Sequence, residues 1–242
     1  MPEGPSIVIL KEEVAAFTGK KVTAASGYTK IDYDKIAGKK ILAFKSWGKH
    51  FLICFKNVTI RIHLLMFGSY RINDVKESNP ALHLKFAKGQ LNFYTCAVKM
   101  IEEPLDEVYD WTADIMNENF DPKSALKKLN KLPDMLVCDA LLNQDIFSGS
   151  GNIIKNEVMF RVRLHPASKL GDIPPKKKKE LIAETVNYAF DFLKWKKAFE
   201  LKKHWQAHTK KICPRCHIPF IKEYMGTTKR RTFFCENCQK LY

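Results

Sequence analysis

Four thiols stand in two pairs, Cys213-Pro214-Arg215-Cys216 and Cys235-Glu236-Asn237-Cys238, with eighteen residues between the pairs. Two C-x2-C pairs at this separation read as a tetrahedral four-thiolate zinc site, and four thiolates leave no open position for a water or a substrate. One structural zinc ion per chain is therefore expected on Cys213, Cys216, Cys235 and Cys238. A disulfide set is the alternative, and a reducing compartment disfavours it. Cys54, Cys96 and Cys138 sit in apolar stretches such as FLICF and MLVCDALL and read as core residues. The other end of the chain raises a second kind of chemistry. It opens MPEGP, so removal of Met1 would leave the secondary amine of Pro2 at the terminus with the carboxyl group of Glu3 behind it. Many proteins begin Met-Pro, and this pair alone argues nothing.

The charge says what such chemistry would act on. Against 26 Asp and Glu the chain carries 41 Lys and Arg, a formal net charge of +15, which points to an anionic partner. From Trp195 to Tyr242 there are twelve basic residues and three acidic ones, so the excess concentrates around the cysteines and suits a phosphate backbone. Lys229-Arg230-Arg231 directly precedes the strand leading to Cys235, where a metal-held hairpin could present an arginine to a phosphate; a solvated hairpin tip looks the same in sequence. The segment from Asn143 to Asn152 closes on Gly149-Ser150-Gly151-Asn152, a tight reversal that would leave the first N–H groups of the next helix facing an anion. An ordinary helix cap would read alike.

These residues need a scaffold. Hydrophobic residues make up 45% of the chain, which excludes general disorder. No apolar run reaches the roughly 18 residues of a membrane helix, and the opening lacks a secretory n-region, so an intracellular protein with no membrane partner is expected. Ile7, Leu10, Val14 and Phe17 recur at helical spacing. The period then drops to two in KKILAFKSW, HFLICF, VTIRIHLL, ALHLKFA and QLNFYT, with short turns at Lys56-Asn57 and Lys88-Gly89. One helix followed by six to eight short antiparallel strands predicts a two-layer β-sandwich. Helical patterns follow over 124–130, 133–143, 152–163 and 175–198, and a cysteine ribbon closes the chain, with strands at Tyr224-Met225 and Thr232-Phe233-Phe234. The lysine run at 176–179 reads as a solvated helix start. The expected class is α+β, with a catalytic sandwich domain at 1–116, a helical domain at 117–211 and a four-cysteine finger at 212–242.

Taken in order, Met1-Pro2-Glu3-Gly4-Pro5, Gly48-Lys49, His63-Leu64-Leu65-Met66-Phe67-Gly68, Gly149-Ser150-Gly151-Asn152 with Glu157, and Arg230-Arg231-Thr232-Phe233-Phe234-Cys235 resemble the formamidopyrimidine-DNA glycosylase and endonuclease VIII family over essentially the whole chain. The resemblance implies a sandwich joined to a helix-two-turn-helix and zinc-finger domain, and a monomeric enzyme that excises oxidised bases from damaged DNA and then cuts the strand. It implies that Pro2 is the nucleophile, Glu3 the proton shuttle and Lys49 a phosphate contact or proton donor. Asn152 and Arg230 would hold phosphates with Glu157 in support, and Leu65, Met66 and Phe67 would wedge into the stack. An α-amino group titrates near 8 against about 10.4 for lysine, so a terminal amine is the better neutral-pH nucleophile. Read without the family, residues 65–67 would be core.

Three departures refine the expectation. Tyr94-Thr95-Cys96-Ala97-Val98-Lys99 stands where purine-preferring members carry Arg-Arg-Phe-Gly, and the segment 199–211 is short for a loop folded over an oxidised purine. Both favour the endonuclease VIII type and oxidised pyrimidines. Ser6 replaces a family glutamate, which weakens the expected base-removal step. The alternatives are a preference for ring-opened purines, a catalytically silent binder of damaged or gapped DNA, and an RNA-binding ribbon protein that would leave Pro2-Glu3 and Lys49 unexplained. The location expected is the bacterial cytoplasm and nucleoid, or the nucleus in a eukaryote.

Overall fold

The computed structural model describes residues 2–242, so the fate of Met1 lies outside the described residues. The chain divides into two compact units between Asp110 and Trp111. That is upstream of the boundary expected at 117, because backbone bonds from Ser148 N to Ala113 O (2.8 Å) and from Ile115 N to Ser148 O (3.1 Å) tie the intervening residues to the second unit.

In the first unit, helix α1 (Gly4–Glu13) starts at a proline-bearing first turn and buries Ile7 and Leu10. Val14 and Phe17, on the 3-10 turn that follows, continue its apolar face. Strands β1 (Val22–Ser26), β2 (Ala43–Trp47), β3 (His50–Phe55), β4 (Val58–Ile72), β5 (Leu82–Phe86) and β6 (Gln90–Ile101) form one antiparallel sheet in the order β1-β5-β6-β4-β3-β2. β4 and β6 are long enough to run through both layers of the sandwich. The first part of β4 pairs with β3 and the end of β6, while its last part pairs with the start of β6, next to β5. Phe51 on β3 and Phe93 near the start of β6 meet across the core with ring centroids 5.8 Å apart. β1 is invisible in the sequence pattern because only Val22 of its five residues is buried. A short helix α2 (Leu105–Val108) ends the unit.

The second unit begins with α3 (Pro122–Asn130), capped by the Asp121 carboxylate accepting from Lys123 N at 2.9 Å. α4 is confined to Val137–Ala140. The helix expected over 133–143 is thus cut short, because the preceding residues turn and bond to the 168–171 segment through Leu170 N to Met135 O (2.9 Å), Gly171 N to Pro133 O (2.7 Å) and a single bridge between Leu136 and Lys169. α5 (Asn152–Arg161) and α6 (Pro175–Lys197) pack on each other around Val158, Met159, Leu181 and Tyr188. β7 (Ile221–Met225) and β8 (Arg230–Phe234) form the terminal hairpin, and β8 packs on α5, so ribbon and helices share one body.

The lysine run is not simply solvated. Lys177 Nζ donates to the Val162 carbonyl at 2.7 Å, satisfying an orphan acceptor past the end of α5. Lys178 is buried, and its Nζ donates to Asn130 Oδ1 at 3.0 Å. Among the described residues no helix is long and apolar enough to cross a membrane.

Candidate active site and nucleic-acid interface

Pro2 lies just ahead of α1, and Glu3 takes the N-cap position of that helix. An N-cap acid in solvent would turn its carboxylate onto the first free amides. Glu3 makes no such side-chain bond and is instead buried, at 3% exposure, while its carbonyl accepts from Ser6 N at 2.8 Å. α1 packs against β2 and β3, the strands joined by the two-residue turn Gly48-Lys49, with Trp47 paired to His50. Gly48 has φ +53, as the first central position of a type II′ hairpin turn requires. The helix headed by Pro2 and Glu3 and the hairpin carrying Lys49 are therefore parts of one packed layer.

The outer face of that hairpin is polar and aromatic. His50 pairs with His63 across β3 and β4, ring centroids 5.2 Å apart, and Trp47 and Tyr109 pack beside His50 at 5.6 and 5.8 Å. Trp47 Nε1 donates to the Asp110 carbonyl at 2.9 Å. Burial, then the nearby Arg61, His63 and Lys49, pushes the His50 imidazole down to about 3. Burial followed by Lys49 and Arg61 lowers His63 as well. Both rings are neutral at pH 7, and the positive charge on this face belongs to Lys49 and Arg61.

At the end of the same row β4 leaves the ladder. Leu64 pairs with Cys96 and Ser69 with Tyr94, so four residues, 65–68, stand opposite Thr95 alone. The excess chain bulges outward, leaving Leu65, Met66 and Phe67 exposed at 43%, 51% and 86%. The core reading of these apolar residues fails for this reason. Phe67 is held at φ +69. A Cβ on Gly68 would stand 2.7 Å from both Leu65 N and the Thr95 carbonyl oxygen, so only glycine closes the bulge without a backbone shift.

In the second unit, Gly151 caps α5 and Asn152 is its first residue. Asn152 Nδ2 donates to the Arg231 carbonyl at 2.9 Å, joining the helix start to the hairpin that carries Arg230 and Arg231. Residues the sequence reading missed complete this joint. Asn156 Oδ1 accepts from Phe233 N at 2.9 Å, and the buried Lys155 donates to Thr232 Oγ1 at 2.8 Å. Asp139 on α4 holds the hairpin tip by accepting from Thr227 N at 2.8 Å and Thr228 Oγ1 at 3.2 Å. Burial, then Lys155 and Arg231, pushes His208 down to about 4, so it too is neutral at pH 7. Nothing in a linear pattern marks these residues, since their partners lie about fifty to ninety positions away in the chain.

Glu157 is not a surface acid on its helix. It is fully buried, and its carboxylate accepts from Gln206 N (2.9 and 3.1 Å), Ala207 N (2.9 Å) and His208 N (2.7 Å). Three consecutive backbone amides of the 199–211 segment thus converge on one charge, which fixes that segment against α5.

The sulfur atoms of Cys213, Cys216, Cys235 and Cys238 lie within 4.8 Å of one another and could hold a metal ion. Arg215, inside the first cysteine pair, donates to the Phe160 carbonyl at 2.7 Å and stacks over the Phe160 ring at 4.0 Å, so the cysteine knuckle also closes the end of α5.

Residues 1–97 match the formamidopyrimidine-DNA glycosylase N-terminal domain. Mouse endonuclease 8-like 2 is 34% identical over 197 residues, covering 74% of this chain and 57% of that protein. Mouse endonuclease 8-like 3 is 31% identical over 202 residues, covering 80% of this chain and 33% of that protein. The chain belongs to the formamidopyrimidine-DNA glycosylase and endonuclease VIII family. It spans between a third and somewhat over half of the length of these curated relatives. In fold, this family member superposes on Lactococcus lactis formamidopyrimidine-DNA glycosylase bound non-covalently to DNA containing an AP site. The TM-score is 0.85 at 22% identity, over 98% of this chain and 99% of that one. The α+β class and the sandwich-plus-helices architecture expected from periodicity are those of the family.

Proposed function

We propose that this protein is a bifunctional DNA glycosylase and AP lyase that removes oxidised bases, pyrimidines foremost, from damaged DNA. The observation that carries the reading is Glu3. It is an acid buried at 3% exposure directly after Pro2, at the head of a helix whose free amides its side chain does not cap. A carboxyl group at hand for proton transfer beside a nucleophilic amine accounts for it.

With Met1 removed, the lone pair of Pro2 nitrogen attacks C1′ of the damaged nucleotide. The base departs, and Glu3 protonates the ring oxygen as the sugar opens to an iminium. The iminium accepts the electrons released when the C2′ proton is taken, so the 3′ phosphate is expelled, and a second elimination expels the 5′ phosphate. Lys49, Asn152 and Arg230 bind phosphates around the lesion, Glu157 positions the second-unit machinery, and Leu65, Met66 and Phe67 fill the stack left by the extruded nucleotide. The preference for pyrimidines rests on Tyr94–Lys99, which stay within β6 and project no loop, and on the 199–211 segment being held down by Glu157.

The four cysteines suit zinc. With Zn–S near 2.3 Å a tetrahedral site places sulfurs about 3.8 Å apart, and Cys213 and Cys238 Sγ are separated by 3.8 Å. Zinc would hold the Arg230 hairpin rigid and take no part in the reaction.

Borohydride trapping tests the proposal with oligonucleotides carrying 5-hydroxyuracil, 8-oxoguanine or an abasic site, a Pro2→Gly control, and a mass measurement of the N-terminus. A covalent adduct stronger on the oxidised pyrimidine and lost in the control is expected. Trapping on the abasic site alone would leave a lyase without base removal, with Ser6 the first residue to restore to glutamate. No adduct from a protein with a free Pro2 and intact DNA binding would overturn the enzyme reading in favour of the silent binder.

A further inference from the structure

We infer that the C-terminal end of α6 and the turn after it form a second nucleic-acid surface, one that takes a single strand by stacking an unpaired base on Phe199. Phe199 is 96% exposed and has φ +59. It stands just past the C-cap Ala198, where Phe199 N donates to Lys196 O at 3.1 Å and Glu200 N to Trp195 O at 2.8 Å, the bond pattern of a Schellman helix end. That position favours glycine, because a side chain in the left-handed region is strained. A bulky aromatic there, with its ring in water, serves neither the backbone nor the core.

The ring is framed by cations. Lys194, Lys196, Lys197, Lys202 and Lys203 are all exposed, and Glu200 is the one acid between Lys194 and His204. The helix dipole accounts for lysines in the last turn of α6, and Glu200 pairs with Lys203 at 2.8 Å, but the dipole does not account for Lys202, which lies beyond the helix. The turn that carries those two is rigid: Trp195 and His204 stack at 4.2 Å with their planes 8° apart, and Tyr188 and Arg161 pack on Trp195 in turn.

A flat exposed ring between lysines fits a single strand, whose bases have free faces. It does not fit a duplex, whose bases are already stacked. An anionic membrane would also draw the lysines, but insertion needs an apolar face. Phe199 is the one large hydrophobic residue in this stretch that is mostly exposed. Phe199, Lys202 and Lys203 lie in the 199–211 segment, but none of these side chains was given a part in the reaction above.

Fluorescence anisotropy with oligo-dT and with a duplex of equal length, each over a range of salt, tests it on Phe199→Gly and on Lys202→Glu/Lys203→Glu. Phe199→Gly is expected to weaken oligo-dT binding roughly tenfold while raising Tm, since glycine relieves the left-handed strain. A merely structural phenylalanine would not give that pairing. The double lysine variant should lower the salt slope on oligo-dT by about 1.4, or about 0.7 for each phosphate no longer neutralised. 5-Iodouracil in the oligonucleotide should crosslink to the peptide containing Phe199. Duplex affinity and borohydride trapping on an abasic duplex should not change in Phe199→Gly, and Pro2→Gly should leave oligo-dT binding intact, so the two readings fail separately. Unchanged oligo-dT affinity in both variants, an equal loss on duplex, crosslinks only elsewhere, or Phe199-dependent binding to phosphatidylserine vesicles without oligo-dT binding would each overturn the inference.

Discussion

Replacing Glu157 by glutamine keeps the shape of the side chain and removes its charge. Oε1 accepts from Gln206, Ala207 and His208, while Oε2 accepts from Gln206. Glutamine can keep a neutral oxygen on one side but must turn its NH2 toward an N–H on the other. Hydrogen bonds to a charged group contribute about 1.5–3 kcal/mol each, roughly twice the neutral value. Halving three of them and opposing donor to donor gives a loss of about 2–4 kcal/mol. At about 2–4 °C per kcal/mol, Tm should fall by roughly 5–15 °C. Calorimetry should rank the variants wild type, Glu157→Gln, then Glu157→Ala, which leaves three amides without their acceptor. Glu157→Asp, one methylene too short, should also fall below wild type. Because the same carboxylate holds the chain at His208, affinity for an abasic duplex should drop even where Glu157→Gln is fully folded. A glutamine variant with Tm within about 1 °C of wild type and unchanged affinity would refute the argument that one buried charge organises this segment.

Stability should decline in acid through His50 and His208, whose folded values are about 3 and about 4. Both lie below the ordinary 6.5, so the unfolded chain binds the proton first: the stabilisation is present above about 6.5 and is lost as pH falls toward 4, amounting to about 3 kcal/mol for His208 alone. Urea titrations across that range should show a flatter decline in His208→Gln. Stripping metal with a thiol reagent and chelator should release one zinc per chain by elemental analysis and lower Tm, and Cys235→Ser should do the same without treatment. Arg215→Ala should cost about 1–3 kcal/mol, because it leaves the Phe160 carbonyl at the end of α5 without its guanidinium; equilibrium denaturation measures it. Gly68→Ala should disturb the 65–67 bulge, seen as weaker abasic-duplex binding with little change in urea midpoint, since the contacts it violates are local.

Much of this protein is readable along the chain, because the relevant signal is local. Period-two alternation placed β2 to β6, since the inward residues of each strand must be apolar whatever lies opposite. Helical spacing placed α1 and α6. The cysteine pairs announced their cluster because metal geometry restricts spacing within each knuckle. β1 escaped because an edge strand with one buried residue carries no pattern, and α4 came out short because pairing with 168–171 overrode its helical propensity.

The site divides along the same line. The sequence by itself supplied the residues proposed for chemistry: Pro2-Glu3 at the head, Lys49 after its glycine, Asn152 after Gly151, Arg230 before the last cysteines. Only the tertiary structure decided what their surroundings make of them. It turned Leu65, Met66 and Phe67 outward, because four residues facing one cannot remain in a ladder. It buried Glu3 and Glu157, made His50, His63 and His208 neutral, and set Lys155 and Asn156 against a hairpin more than seventy residues away. Burial and long-range pairing are sums over neighbours that the chain brings together only by folding, and solvation, charge state and exposure follow from those sums.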